Sequence, residues 1–238
     1  MGINYGSVGR IGLIVPSANV AAEPEIAAML PSGVALYTTR LKLAGSSAAD
    51  IEGMAARAGE GAELLAHAQV DVIAFHCTAA SAWSPNADQE LTAMLIERSG
   101  LPATTTATAL LSALTALEAR SIVLVSPYVA EINAREIAFL RGRGISVLDQ
   151  HGLGIADPHM MNRVDPETWI SLVENHAHPD ADAYFISCAA IRTAEVIETI
   201  EKRLGKPVVT SNQVIVWQSL RRIGIKNSAK GFGKLMDI

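Results

Sequence analysis

The chain is short of cysteine, of aromatic residues and of charge. Of 238 residues two are cysteine, 5% are aromatic and 18% are Asp, Glu, Lys or Arg. Two thiols cannot staple a small secreted scaffold. With no C-x-x-C and no clustered histidine, they cannot build a Cys-rich zinc site either. No run of Lys and Arg occurs and the formal net charge is −5, which argues against nucleic acid or an anionic membrane as partner. No apolar stretch approaches the roughly 18–20 residues that cross a bilayer. Met1 to Arg10 is polar and glycine-rich, unlike the charged-then-apolar order of a secretory signal. These absences predict a cytoplasmic chain with reduced thiols. What is present is 50% hydrophobic, enough to bury a sizeable core built on Ala, Val, Ile and Leu.

The sequence is written twice. Ile11-Gly-Leu-Ile-Val15 is a short apolar run ending at Pro16, and Ile122-Val-Leu-Val125 is another ending just before Pro127. Asp71-Val-Ile-Ala-Phe-His-Cys77 reads like Asp182-Ala-Tyr-Phe-Ile-Ser-Cys188. Pro16 precedes Cys77 by 61 residues, and Pro127 precedes Cys188 by the same 61. A later pair, Gly100-Leu-Pro and Gly205-Lys-Pro, repeats at an offset of 105 instead of 111, so the copies differ slightly in length. Short apolar runs near 11–15, 34–38, 71–76 and 102–105, and again near 121–125, 145–149, 183–187 and 207–210, predict strands. Between them, helices are expected over 48–68, 86–99, 107–118, 130–142, 166–176 and 193–204. The pattern predicts an α/β protein of two pseudo-symmetric, parallel, four-stranded halves with the active site between them. The first half takes residues 1–105 together with a C-terminal segment of about 212–238, whose helix over 212–223 crosses back. The second takes 106–211.

Ligands of parallel α/β sheets bind beyond the carboxyl ends of the strands. Cys77 and Cys188 stand at such ends, at equivalent places in the two copies. Facing halves would bring both thiols to one cleft, one on each side of a small planar centre. A thiol is tunable by nearby N–H groups, and its thiolate serves as base and nucleophile. A single buried Cys is ordinarily a small hydrophobe; the matched pair is what argues for chemistry. The loops after them, Thr78-Ala-Ala-Ser81 and Ala189-Ala-Ile-Arg-Thr193, are small enough to aim backbone N–H groups at a carboxylate. The turns Pro16-Ser-Ala-Asn19 and Ser126-Pro-Tyr128 offer further donors.

With Val15-Pro-Ser-Ala-Asn19, Glu23-Pro-Glu25, Cys77, Ser126-Pro-Tyr128, Asn162-Arg163 and Ser187-Cys188, the chain resembles the aspartate/glutamate racemase superfamily over nearly its whole length. Its Pro-Ser-x-Asn turn, Ser-Pro-Tyr and Asn162 resemble the maleate isomerase and arylmalonate decarboxylase branch, and the isomerase most. The resemblance implies Cys77 as the nucleophile that adds to maleate and Cys188 as the proton carrier. It implies Ser17, Asn19, Tyr128 and Asn162, with backbone amides near Thr78 and Ala189, as carboxylate donors. It further implies no metal, no organic cofactor, and assembly into dimers or tetramers. It is least close at Ala18 and over Thr78–Trp83, which shape the pocket. Branch members that decarboxylate keep only the second cysteine, whereas Cys77 is present here.

Other readings stay open at several positions. His76 neighbours Cys77, but adjacent strand residues point to opposite faces, so packing under a helix is expected. Asn19 can cap the helix expected from about Val20, and Asn162 can be a turn residue. Tyr128 can pack or donate. Glu23 and Glu25 suit the first turn of a helix by charge. As an enzyme the chain reads as a maleate-type isomerase or a two-cysteine racemase of an amino acid or hydantoin-type acid, with a malonate-type decarboxylase behind these. The non-enzyme reading is a small-acid binding protein.

Overall fold

A computed structural model describes residues 3–226 and 229–238. The first sheet holds β1 (Gly9–Pro16), β2 (Val34–Leu41), β3 (Val72–Phe75) and β4 (Ala103–Thr105). The second holds β5 (Ser121–Ser126), β6 (Ser146–Gly152), β7 (Ala183–Ile186) and β8 (Val208–Thr210). Their orders are β2-β1-β3-β4 and β6-β5-β7-β8, and every pairing is parallel. The sequence repeat is thus a repeat of topology. β3 and β7, which lead to the cysteines, are buried at all positions. Helices cover both of their faces, so they read as unbroken apolar runs rather than alternating ones.

The aspartate that opens each of these segments has the same task in both halves. Asp71 accepts the N–H of Arg10 at 2.8 Å, and Asp182 accepts those of Arg120 and Ser121 at 2.9 and 2.8 Å. These backbone donors hold the Asp182 carboxyl below its ordinary range.

The helices are α1 (Ala22–Met29), α2 (Ala48–Ala55), α3 (Ala58–His67), α4 (Thr78–Ser81), α5 (Ala87–Ser99), α6 (Thr106–Ala116), α7 (Ala130–Gly142), α8 (Pro158–Met161), α9 (Pro166–Asn175), α10 (Ile197–Leu204) and α11 (Ser211–Arg222). α5 and α10 both stop at a glycine in left-handed geometry, Gly100 at φ 70° and Gly205 at φ 69°, with a proline two residues on that cannot continue the helix. Among the described residues no helix is long and apolar enough to cross a membrane.

Three expected elements are corrected. The helix over 48–68 is two helices, because its parts serve different partners. α2 packs against α4 beside the cleft, and α3 lies on β1, β2 and α5. Gly61 lets α3 come so close that an added Cβ would sit 3.2 Å from Ile14. The helix over 193–204 begins only at Ile197, since the N–H groups of Thr193 and Ala194 turn to the Glu25 carboxylate. The helix expected from Val20 begins at Ala22, after the Asn19 side chain has accepted the N–H groups of Ala21 and Ala22, both at 3.0 Å.

α11 has neighbours in both halves. It packs on β3 and β4 and against α1 and α6, while keeping contact with β8. α6, which follows β4 directly, packs among α4, α5 and α11. Polar ties join the halves at their rims. Arg143 meets Asp88 at 2.6 Å and the Pro85 carbonyl at 2.8 Å, and the Arg135 guanidinium lies 4.0 Å over the Trp83 ring.

Candidate active site

Cys77 and Cys188 line one cleft between the carboxyl ends of the two sheets. Both are nearly covered, at 6% and 5% exposure, so a reacting atom between them is screened from bulk water. Their backbones differ. Cys77 is extended at φ −145°, ψ 105°, and leads into α4. Cys188 sits at φ 111°, a region that L-residues with a side chain rarely adopt. The surroundings pin it: its N–H donates to Ser211 Oγ at 3.0 Å, and its sulfur accepts the N–H of Ala190 at 3.3 Å.

Of the residues singled out in the sequence, Asn19, Cys77, Thr78, Tyr128, Cys188 and Ala189 line this cleft together. Two do not. Ser17 is exposed, and its hydroxyl accepts the N–H of Leu43 at 3.2 Å. Asn162 closes the end of α8 and lines a separate cleft with Glu25, Arg192 and Phe232. Its Oδ1 is buried without a partner among the described residues. Its neighbour Met161 faces the thiols instead, with its sulfur 3.8 Å from Cys188 Sγ.

Asn19 is both cap and clip. Besides capping α1, its Nδ2 donates to the Ala189 carbonyl at 2.9 Å, which ties the first half to the loop after Cys188. One Nδ2 hydrogen remains for a ligand. Tyr128 is 4% exposed and lines the cleft beside Cys188.

The start of α11 links the two cysteine loops from below. Ser211 Oγ takes the Thr78 hydroxyl at 2.9 Å as well as the Cys188 N–H. Next to it, Asn212 Oδ1 lies 2.7 Å from His76 Nε2, and Asn212 Nδ2 donates to Glu25 at 2.7 Å. His76 Nδ1 lies 3.0 Å from the Thr106 hydroxyl. His76 is therefore a buried structural residue turned away from the cleft, as expected from its strand position. Glu25, read as a helix-dipole charge, reaches across to the other half and holds Thr193 and Ala194.

Among the described residues no Lys, Arg or His lines the cleft, and burial governs its acid–base properties. It pushes the Cys77 thiol up to about 11, against the help of the Ala80 N–H. It pushes Cys188 up to about 12, against the help of Tyr128 and Ala190; the charges of Cys77 and Glu136 add to the rise. Tyr128 is raised well above its ordinary value by burial and by the same acidic neighbours, so it stays a donor. His76 is lowered to about 4 by burial. Among the described residues no three His, Cys, Asp or Glu side chains group as a metal site.

The other wall is apolar: Leu43, Ile51, Ile132, Pro158 and Met161. Sequence reasoning missed these because an apolar residue on a helix or a loop reads like core. Ser211 did carry a signal, since it stands 105 residues after Thr106, the offset of the paired Gly-x-Pro turns. Asn212 carried none.

The model of the arylmalonate decarboxylase family matches residues 11–236. The arylmalonate decarboxylase of Bordetella bronchiseptica is 32% identical over 150 residues, a stretch covering 62% of each chain. The maleate isomerase of Geobacillus stearothermophilus is 27% identical over 243 residues, covering 96% of this chain and 97% of the relative. Among solved structures, a doubly substituted arylmalonate decarboxylase in its liganded form matches with a TM-score of 0.91 at 29% identity, over 97% of this chain and 99% of that one.

Proposed function

Since the chain belongs to the arylmalonate decarboxylase family, we propose that this enzyme is a cofactor-independent isomerase that converts maleate, or a close unsaturated dicarboxylate, to its trans isomer. The observation that carries the reading is the meeting of two thiols, from equivalent strand ends, in one cleft.

Heat does not rotate a carbon–carbon double bond, so the bond must be removed for a moment. Cys77, as thiolate, adds its sulfur to C2 of the alkene. The π electrons move to C3 and its carboxylate, where the charge is met by Tyr128, the free Nδ2 hydrogen of Asn19 and the N–H groups that open α4. The Cys188 thiol gives its proton to C3. The product is a succinyl thioether with a single C2–C3 bond, which turns. Cys188, now a thiolate, takes a proton back from C3. The C–S bond breaks, the double bond re-forms, and Cys77 leaves as thiolate. No proton or electron is left over.

Proton NMR of the reduced protein with maleate tests this. A growing fumarate singlet is expected, and Cys77→Ser and Cys188→Ser should each cut its rate by at least about a thousandfold. A folded, fully reduced protein that leaves maleate unchanged would overturn the maleate assignment.

The apolar wall favours a second reading, in which the two thiols racemise an acid bearing an apolar group on its α-carbon. One thiolate takes the α-proton from one face and the other thiol returns one to the opposite face. Deuterium appearing at the α-carbon in heavy water, with the substrate otherwise intact, distinguishes it.

A further inference from the structure

One buried acid beside the cleft plays no part in the steps above. Glu136 on α7 is 1% exposed. Its Oε1 accepts the Ser187 hydroxyl at 2.8 Å, and Ser187 is the residue before Cys188. Its Oε2 has no hydrogen-bond partner among the described residues. Glu136 follows Glu25 by 111 residues, as Cys188 follows Cys77, yet the two glutamates differ. Glu25 receives the N–H groups of Thr193 and Ala194, the Thr193 hydroxyl and the Asn212 amide. Glu136 receives one hydroxyl. The residue before Cys77 is His76, bonded to Thr106 and Asn212 and to no carboxylate. Among the described residues, only the thiol of Cys188 follows a residue hydrogen-bonded directly to a carboxylate.

We propose that Glu136 is a positioning residue that divides the work between the thiols: its carboxylate keeps Cys188 as the proton-bearing thiol and so leaves Cys77 to become the thiolate. The proposal rests on the two-thiol reading above, and its test needs no substrate, so the two can fail separately. The titratable groups that feel Glu136 are Cys188 beyond β7 and Tyr128 beyond β5. Among the described residues no cation offsets it; burial raises it and Ser187 lowers it, leaving it at about 7. Arg135, next on α7, is spent over Trp83 and on Glu131. Asp149 on β6, which α7 also covers, is paired with His176, whose ring stacks against His151. The acid therefore reaches its charged form near neutral pH, and that charge pushes Cys188 in the direction opposite to ionisation.

Iodoacetamide reacts with thiolates, so its rate at each cysteine, read by peptide mass spectrometry, reports which thiol ionises. In the unmodified protein Cys77 should be alkylated faster than Cys188. In E136Q the Cys188 rate at mildly alkaline pH should rise roughly tenfold, one pKa unit's worth, with a smaller change at Cys77. An unchanged Cys188 rate, or an equal rise at both thiols from general loosening, would overturn the proposal. If E136Q does not fold, the unmodified protein still decides. Its Cys188 rate should flatten near pH 7, as Glu136 loses its proton, before climbing again. An unbroken climb of about tenfold per pH unit through that region would overturn it.

Discussion

Cys188 is held at φ 111° by the hydrogen bonds to its own N–H and sulfur. A glycine there would be at ease and an alanine would not. Cys188→Gly should therefore resist urea better than Cys188→Ala, by roughly 1 kcal/mol, although it is the smaller residue and both lack the thiol. Equal midpoints would mean that the backbone is relaxed. Glu136 makes a second prediction at this scale. Its folded value of about 7 lies above the ordinary 4.5. As pH rises through that window the unfolded chain sheds this proton first, so stability falls between about 4.5 and 7 and is level above. E136Q has no such proton to lose. Its advantage in urea midpoint over the wild type should grow across that window, to roughly 3 kcal/mol. A constant difference from pH 5 to pH 8 would contradict the raised value.

Among the elements, α11 matters most to the site, because its first turn touches both cysteine loops. Asn212→Ala leaves His76 Nε2 without its partner and takes from Glu25 the Asn212 amide. The loss should be about 2–4 kcal/mol by urea titration, and a loss under 0.5 kcal/mol would show that the network is slack. This junction also marks where the sequence stops being readable. The eight strands, their division into two parallel halves and the paired cysteines were legible, because buried strands are written as apolar runs and Gly-x-Pro closes the helices before β4 and β8; the order of strands within each sheet was not. The break at Arg57, the loop before Ile197 and the reach of Glu25 were not. Each is decided by a partner more than a hundred residues away or by a change of packing direction, and neither leaves a local pattern. Asn162 shows the same limit from the other side. It resembled a ligand residue by its neighbours, and one residue of helical phase put Met161 into the cleft in its place.

For the whole molecule, acid acts through His76. Its folded value is about 4 against an ordinary 6.5, so below about 6.5 the unfolded chain takes a proton that the folded one refuses until about 4. Stability from this group is lost as pH falls through that window, by roughly 3 kcal/mol. Glu136 works in the opposite sense over much of the same range. The thermal midpoint of E136Q should therefore fall more steeply between pH 6.5 and 4.5 than that of the wild type. Parallel profiles would show that the two groups do not oppose each other. The return of α11 onto β3 and β4 also sets an order in time. A ribosome that has released residues 1–105 has released a sheet whose cover has not yet been translated. The strand that leads to Cys77 waits for a helix made more than a hundred residues later. Neither half of this duplicated chain is a finished object before the other, and the cleft between them forms only once α11 has been made.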